Sequence, residues 1–210
     1  MLKSILKLAG YFFVDLVFIV CYKNTMTNSI DNRNIIDKYK YDRLTKWTTE
    51  LIKKDLQQKA FPYAVLMENF TGDFNIGTVI RSANAFNARA VYYLGSKHYD
   101  RRGCVGTHHY TDVIHLKTRD NLLQLKEQYE FVALENTVPS AVALVDAKYS
   151  RPPLFILGEE GVGITEETLQ LCEKCVYIPQ YGSVRSLNAA VAGSIIMNDF
   201  VAKYNANTYL

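Results

Sequence analysis

Five short apolar runs alternate with stretches of helical period, and that alternation constrains the fold more than any other feature of the chain. The runs are residues 63–68, 90–94, 131–134, 154–157 and 175–178. Between and after them, apolar residues recur at helical spacing over 76–86, 121–129, 165–172 and 187–204. Continuous apolar strands separated by helices predict an α/β domain: a parallel sheet with helices on both faces. In such sheets ligands bind beyond the carboxyl ends of the strands. The loops at 69–76, 95–110, 158–164 and 179–187 are therefore where function is expected.

Pro62 closes a different region. Residues 33–60 place Ile35, Ile36, Tyr39, Leu44, Trp47, Leu51, Ile52 and Leu56 at spacings that predict one or two amphipathic helices. This region is also basic. Residues 26–60 hold eight Lys/Arg against five Asp/Glu, while residues 61–210 hold thirteen against fifteen. A basic appendage on a nearly neutral body suits a polyanionic partner, and a solvated helix face is the plainer alternative. Before it, Lys3 and Lys7 precede an apolar stretch over 8–22. Asp15 interrupts that stretch, which is shorter than the roughly 20 residues a membrane span needs. Three segments follow: a leader at 1–25 that is dispensable or precedes a native start at Met26, a basic helical extension at 26–60, and the α/β domain at 61–210. A membrane anchor at 8–22 is the rival reading of the leader.

Three loops carry chemistry. Residues 68–86, ENFTGDFNIGTVIRSANAF, run from a strand end into a helix. Asn69 and Asn75 suit turn and cap positions. Gly77, Ser82, Ala83 and Ala85 permit close approach of another backbone. Residues 154–167, LFILGEEGVGITEE, end a strand at Gly158 and continue through Gly161 and Gly163. No Gly-Lys-Ser/Thr follows, so this is not a phosphate loop, and the glycine gaps do not fit a dinucleotide fingerprint. Glu159 and Glu160 also disfavour a phosphate and favour a ligand with cationic or hydroxyl groups. Residues 176–200, VYIPQYGSVRSLNAAVAGSIIMNDF, end a strand at Ile178-Pro179 and open a small-residue helix near Leu187, with Ser186 as its expected cap.

Taken in order, Asn75-x-Gly-x3-Arg81, Gly158-x-Glu160-x2-Gly163-Ile164 and Ile178-Pro179-x6-Ser186-Leu187-Asn188 resemble the SpoU/TrmH family of SPOUT RNA 2′-O-ribose methyltransferases over residues 61–203. The resemblance implies a C-terminal deep trefoil knot, a rare exception to unthreaded connections, a homodimer, and bound S-adenosylmethionine. It implies catalytic roles for Arg81, Asn75, Glu160, Ser186 and Asn188. Leu157, Gly158, Gly163, Ile178 and Leu187 would contact the methyl donor, held mainly by backbone of the second and third loops. The RNA would be tRNA in preference to rRNA, in the cytoplasm. A non-catalytic RNA-binding relative with the same fold is the alternative, and the intact motif residues argue against it. The sequence departs from the family at Glu159, where an uncharged residue is common, and in the Asn-Ala-Ala-Val that follows the third motif.

RNA contacts are expected from Lys53 and Lys54 in the extension and from Arg101 and Arg102 in a loop that also carries Tyr99, His108, His109 and Tyr110. Basic and aromatic groups together hold phosphates and stack on unpaired bases. Cys172 and Cys175 form a CEKC pair without the second pair or nearby His that a zinc site needs, so no metal is expected.

Overall fold

The computed structural model describes residues 48–69 and 75–209. The expected leader and most of the basic extension lie outside the described residues.

The first described element is helix α1 (Thr49–Gln58), capped by Thr48, whose hydroxyl accepts from the Leu51 N–H at 3.4 Å. It buries Ile52 and is pinned by Gln57, which donates to Asp112 at 2.7 Å. Seven strands follow: β1 (Phe61–Asn69), β2 (Ala88–Gly95), β3 (Val113–Leu116), β4 (Glu130–Leu134), β5 (Val142–Ala143), β6 (Pro153–Leu157) and β7 (Lys174–Tyr177). They form one sheet in the order β3-β2-β1-β6-β4-β7-β5, and every pairing is parallel.

The five apolar runs are the five central strands. Residues 63–69 of β1 and all of β6 are buried, because helices cover both faces of the sheet. On one face lie α2 (Asn75–Ala85) and α5 (Ala189–Asn205), packed on Tyr63, Val65, Met67 and Phe155. On the other, α3 (Arg119–Leu123) and the residues around α4 (Glu166–Leu169) pack on Ala64, Leu66 and Leu154. Strand alternation explains this split, since odd and even residues of β1 face opposite layers.

α5 buries Ala190, Gly193, Ile196, Met197 and Phe200, one stripe at helical spacing. The small residues matter: a Cβ on Gly193 would stand 2.7 Å from Leu157 Cδ1, so the helix rides directly on β6. The Ser194 hydroxyl meets that of Ser82 at 2.8 Å, locking α5 to α2.

Several boundaries differ from the sequence reading. The helix expected over 165–172 is a single turn, because the hydroxyl of its leading Thr165 is bonded to Glu68 at 2.6 Å and makes no cap bond. The helix expected over 121–129 ends at Leu123 and tightens into a 3₁₀ turn over Gln124–Glu127. Strands β3 and β5 lie at the two edges of the sheet. They are four and two residues long, with Ile114 and Val142 exposed, and so lack the continuous apolar run that marks the centre.

Candidate active site

The carboxyl ends of β6, β4 and β7 converge on one cavity. It has a volume of about 480 Å³ and is lined by residues 134–137, 157–164 and 185–187, with Tyr177, Ile178, Gln180 and Ala189. All five residues expected to contact a donor (Leu157, Gly158, Gly163, Ile178 and Leu187) line it, as do Glu160 and Ser186.

Its floor is a tight backbone crossing. A Cβ on Gly158 would fall 2.1 Å from the Gly163 carbonyl carbon and 2.3 Å from the Ile164 nitrogen, so no side chain fits there. Gly163 has φ +78°, and exchanges backbone hydrogen bonds with Glu159 at 2.9 and 3.1 Å. Glu68, fully buried at the end of β1, anchors the far end of this loop. It accepts from the Thr165 N–H at 2.7 Å and from the hydroxyls of Thr165 and Thr168 at 2.6 Å each. Arg119 donates to Thr165 Oγ1 at 3.0 Å from the outside. Sequence reasoning took Glu68 only as a strand end.

Three motif residues distant in sequence meet beside the cavity. Asn75 Nδ2 donates to Glu160 Oε2 at 3.0 Å. Asn188 Nδ2 donates to Asn75 Oδ1 at 2.9 Å and lies 3.4 Å from both Glu160 oxygens. Asn188 is also the cap of α5: its Oδ1 accepts from Ala190 N at 3.0 Å and Val191 N at 3.2 Å. The cap expected at Ser186 is therefore two residues too early. Ser186 is exposed on the loop before the helix. One asparagine thus couples the helix start to the carboxylate of the second loop and the first residue of α2.

Arg81 does not join this cluster. It is exposed on α2, and makes no hydrogen bond or ion pair among the described residues. Asn75 and Arg81 are six residues apart, more than one helical turn.

The loop carrying Arg101 and Arg102 is fastened to the start of α2. A Cβ on Gly77 would stand 2.7 Å from Asp100 O, and one on Gly103 2.9 Å from Thr78 N, so the two backbones touch through paired glycines. This is the close approach that Gly77 suggested. Arg101 lies over the Tyr99 ring, 5.9 Å from its centroid, and Arg102 grips Asp100 at 2.5 Å while remaining exposed. Lys54 is exposed, whereas Lys53 is bound to Asp112 at 2.5 Å. Among the described residues no cluster of His, Cys, Asp and Glu is arranged to hold a metal ion. Burial pushes the Cys172 thiol up to about 12, which leaves it protonated and unreactive at neutral pH. No helix among the described residues is long and apolar enough to cross a membrane.

A sequence model of the SpoU rRNA Methylase family matches residues 62–198. The chain belongs to this family. Within it, the SpoU chain is 30% identical over 151 residues to the tRNA (guanosine(18)-2′-O)-methyltransferase of Escherichia coli strain K12. That match covers 70% of this chain and 66% of the relative. It is 24% identical over 151 residues to the 23S rRNA (guanosine-2′-O-)-methyltransferase RlmB of Photorhabdus laumondii, covering 70% of this chain and 62% of that one. The chain thus spans slightly less than two thirds of the length of these relatives. The crystal structure of the SpoU methyltransferase AviRb from Streptomyces viridochromogenes in complex with AdoMet superposes with a TM-score of 0.61 at 25% identity, covering 68% of this chain and 58% of that one. The parallel sheet and its flanking helices are those of the SpoU fold.

Proposed function

We propose that this protein transfers a methyl group from S-adenosylmethionine to a ribose 2′-hydroxyl of a structured RNA, with tRNA favoured over rRNA. The observation that carries the reading is the hydrogen-bonded meeting of Asn75, Glu160 and Asn188 beside the cavity. The curated relatives named above are tRNA and rRNA guanosine 2′-O-methyltransferases, which supports this substrate class.

The residues present fit the donor. The volume of about 480 Å³ falls within the range of small-ligand pockets. The crossing at Gly158 and Gly163 exposes backbone where a side chain would fill the space. Leu157, Ile178 and Leu187 supply apolar surface, and the carboxylates of Glu159 and Glu160 suit a ligand that carries positive charge. When bound, S-adenosylmethionine supplies an electrophilic methyl on a sulfonium.

The chain's own residues then do the rest. A ribose hydroxyl is a poor nucleophile until its oxygen is aligned and its developing charge is stabilised. Arg81 is permanently charged and has no competing partner among the described residues, so its guanidinium is available to bind the neighbouring phosphate and stabilise the alkoxide. Asn75 and Asn188 hold Glu160, and through it the loop at 158–163, in fixed register. Ser186 sits at the rim, on the substrate side. Arg101 and Arg102, on the loop fastened to α2, and Lys54 and Lys53, on α1 at the amino end of β3, are further cations for RNA phosphates, with Lys53 exchanging Asp112 for phosphate. Tyr181, 97% exposed in the third loop, offers a stacking face for an unpaired base.

Two further elements belong to this reading. The chain works as a homodimer, for which the exposed Val191 and Ile195 on α5 provide an apolar stripe. Its C-terminal part is threaded as a deep trefoil knot, and the protein is cytoplasmic.

The test is transfer of labelled methyl from S-adenosylmethionine to separated total tRNA and rRNA, with Arg81→Ala as control. The expected result is a 2′-O-methyl nucleoside in the tRNA fraction and a loss of at least about 100-fold with Arg81→Ala, while donor binding is kept. Full turnover by Arg81→Ala would refute the role of the arginine. Absence of donor binding by the intact protein would refute the reading itself.

A further inference from the structure

Glu135 follows the last residue of β4 and lies in neither of the loops expected to hold the donor. It lines the cavity and is only partly buried. Its two oxygens differ. Oε1 accepts three hydrogen bonds from the turn that follows: from Asn136 N at 2.9 Å, Thr137 N at 3.2 Å and the Thr137 hydroxyl at 3.1 Å. These bonds fix the orientation of the carboxylate. Oε2 receives no hydrogen bond among the described residues. It is directed at the glycine crossing, 3.1 Å from where a Cβ on Gly163 would stand. A preoriented carboxylate with one oxygen unspent on the wall of a cavity is an acceptor awaiting a donor group.

The sheet order says which end of a ligand this is. Asn75 follows β1 and Glu160 follows β6, and these two, with Asn188, mark the reacting end. β4 lies beyond β6, two strand spacings or about 10 Å from β1. Next to β4 is β7, which leads to Ile178 and Gln180. Leu134, Tyr177 and Ile178 make that end apolar, while Gln180 Oε1 is buried without a hydrogen-bond partner. The end remote from the chemistry therefore combines apolar walls with two acceptors whose bonds are unmade. The nucleoside part of the donor has the matching chemistry: a flat apolar base and ribose, with N–H and O–H groups that donate.

We propose that Glu135 is a specificity-determining residue whose Oε2 accepts a hydrogen bond from a donating group of the adenosine portion, either a ribose hydroxyl or the exocyclic amine. The proposal rests on the assignment of the cavity to S-adenosylmethionine. It adds a polar side-chain contact from a further segment of the chain, the turn after β4.

The test is a cycle between residue and ligand, read by calorimetry on the full chain. The ligands are S-adenosylhomocysteine and its analogues lacking the 2′-hydroxyl, the 3′-hydroxyl or the exocyclic amine. The proteins are wild type, Glu135→Met and Glu135→Gln. In wild type, one of the deletions is expected to cost about 10-fold in affinity, the scale of a hydrogen bond to a charged group. In Glu135→Met the parent ligand loses the same factor, and the analogue lacking that one group binds as tightly as the parent. Glu135→Gln, which keeps an acceptor, restores part of the loss. The identity of the insensitive analogue distinguishes ribose from base.

Loosening of the turn held by Oε1 would weaken parent and analogues alike. If all four ligands fall by one common factor in Glu135→Met, or if none falls by more than about 2-fold, the proposal is overturned. Failure of wild type to bind S-adenosylhomocysteine would overturn the cavity assignment first, and this proposal with it.

Discussion

At the amino end of β4, Glu130 has both oxygens engaged. Oε1 takes the Lys174 ammonium at 2.9 Å, and Oε2 takes the N–H and hydroxyl of Ser150 at 2.7 and 3.0 Å. Lys174 also donates to the Lys148 carbonyl. At the carboxyl end of the same strand, Glu135 spends three bonds on one oxygen and none on the other. The first arrangement is closed and holds β4, β7 and the turn before β6 together. The second is open and lies on a cavity. Two glutamates a few residues apart thus separate a structural end of the sheet from a binding end. What distinguishes them is whether every acceptor is satisfied from within.

The largest expected effect that sharpens this contrast is at Gly158. A Cβ there would overlap the Gly163–Ile164 backbone, so Gly158→Ala should weaken S-adenosylhomocysteine binding by at least about 100-fold, measured by calorimetry. Binding at the wild-type level would mean that the crossing is not the donor's floor.

At the opposite end, Glu130→Ala should cost about 3 kcal/mol in urea denaturation, because it removes a buried carboxylate and leaves the half-buried Lys174 without its ion-pair partner. Donor affinity should stay within 2-fold. The pH dependence has a definite sign. Burial raises the Glu130 carboxyl, but Lys174 and Ser150 outweigh it and hold it below its ordinary 4.5. A lowered value favours the native state above pH 4.5, and this contribution is lost as pH falls through the folded value. Glu130→Gln should therefore flatten the loss of stability below pH 4.5, and an unchanged acid profile would break the comparison.

Glu68 is the intermediate case: a closed carboxylate at the binding end. Glu68→Gln should cost about 2 kcal/mol, since an amide cannot accept from all three Thr165 and Thr168 donors. Unlike Glu130, it should also weaken donor binding several-fold, because the released segment leads into the cavity loop. The smallest effect is at Asn188. Loss of its two cap bonds in Asn188→Ala should cost about 1 kcal/mol in thermal denaturation, with a larger fall in turnover than in donor affinity.

The contrast also explains what the sequence made legible. The central strands announce themselves because helices on both faces require continuous apolar runs, whereas β3 and β5 pair on one side only and carry exposed residues. The motif residues Asn75, Glu160 and Asn188 were legible through their resemblance to a family. Their mutual hydrogen bonds were not, because residues 85 and 113 positions apart leave no periodic signal. Glu68 and Glu135 were passed over for a similar reason. A single glutamate after an apolar run looks like the ordinary polar end of a strand. The signal that would have found them is positional: a carboxylate at the carboxyl end of a central parallel strand, where ligands bind.

The most direct test of the two-ended account is hydrogen exchange of the full chain, followed by mass spectrometry, with and without saturating S-adenosylhomocysteine. The account predicts slowed exchange in peptides covering 134–137, 157–166 and 177–190, and no change in those covering 148–153 and 172–174. Protection at the amino end of the sheet, or none in the three carboxyl-end segments, would contradict it.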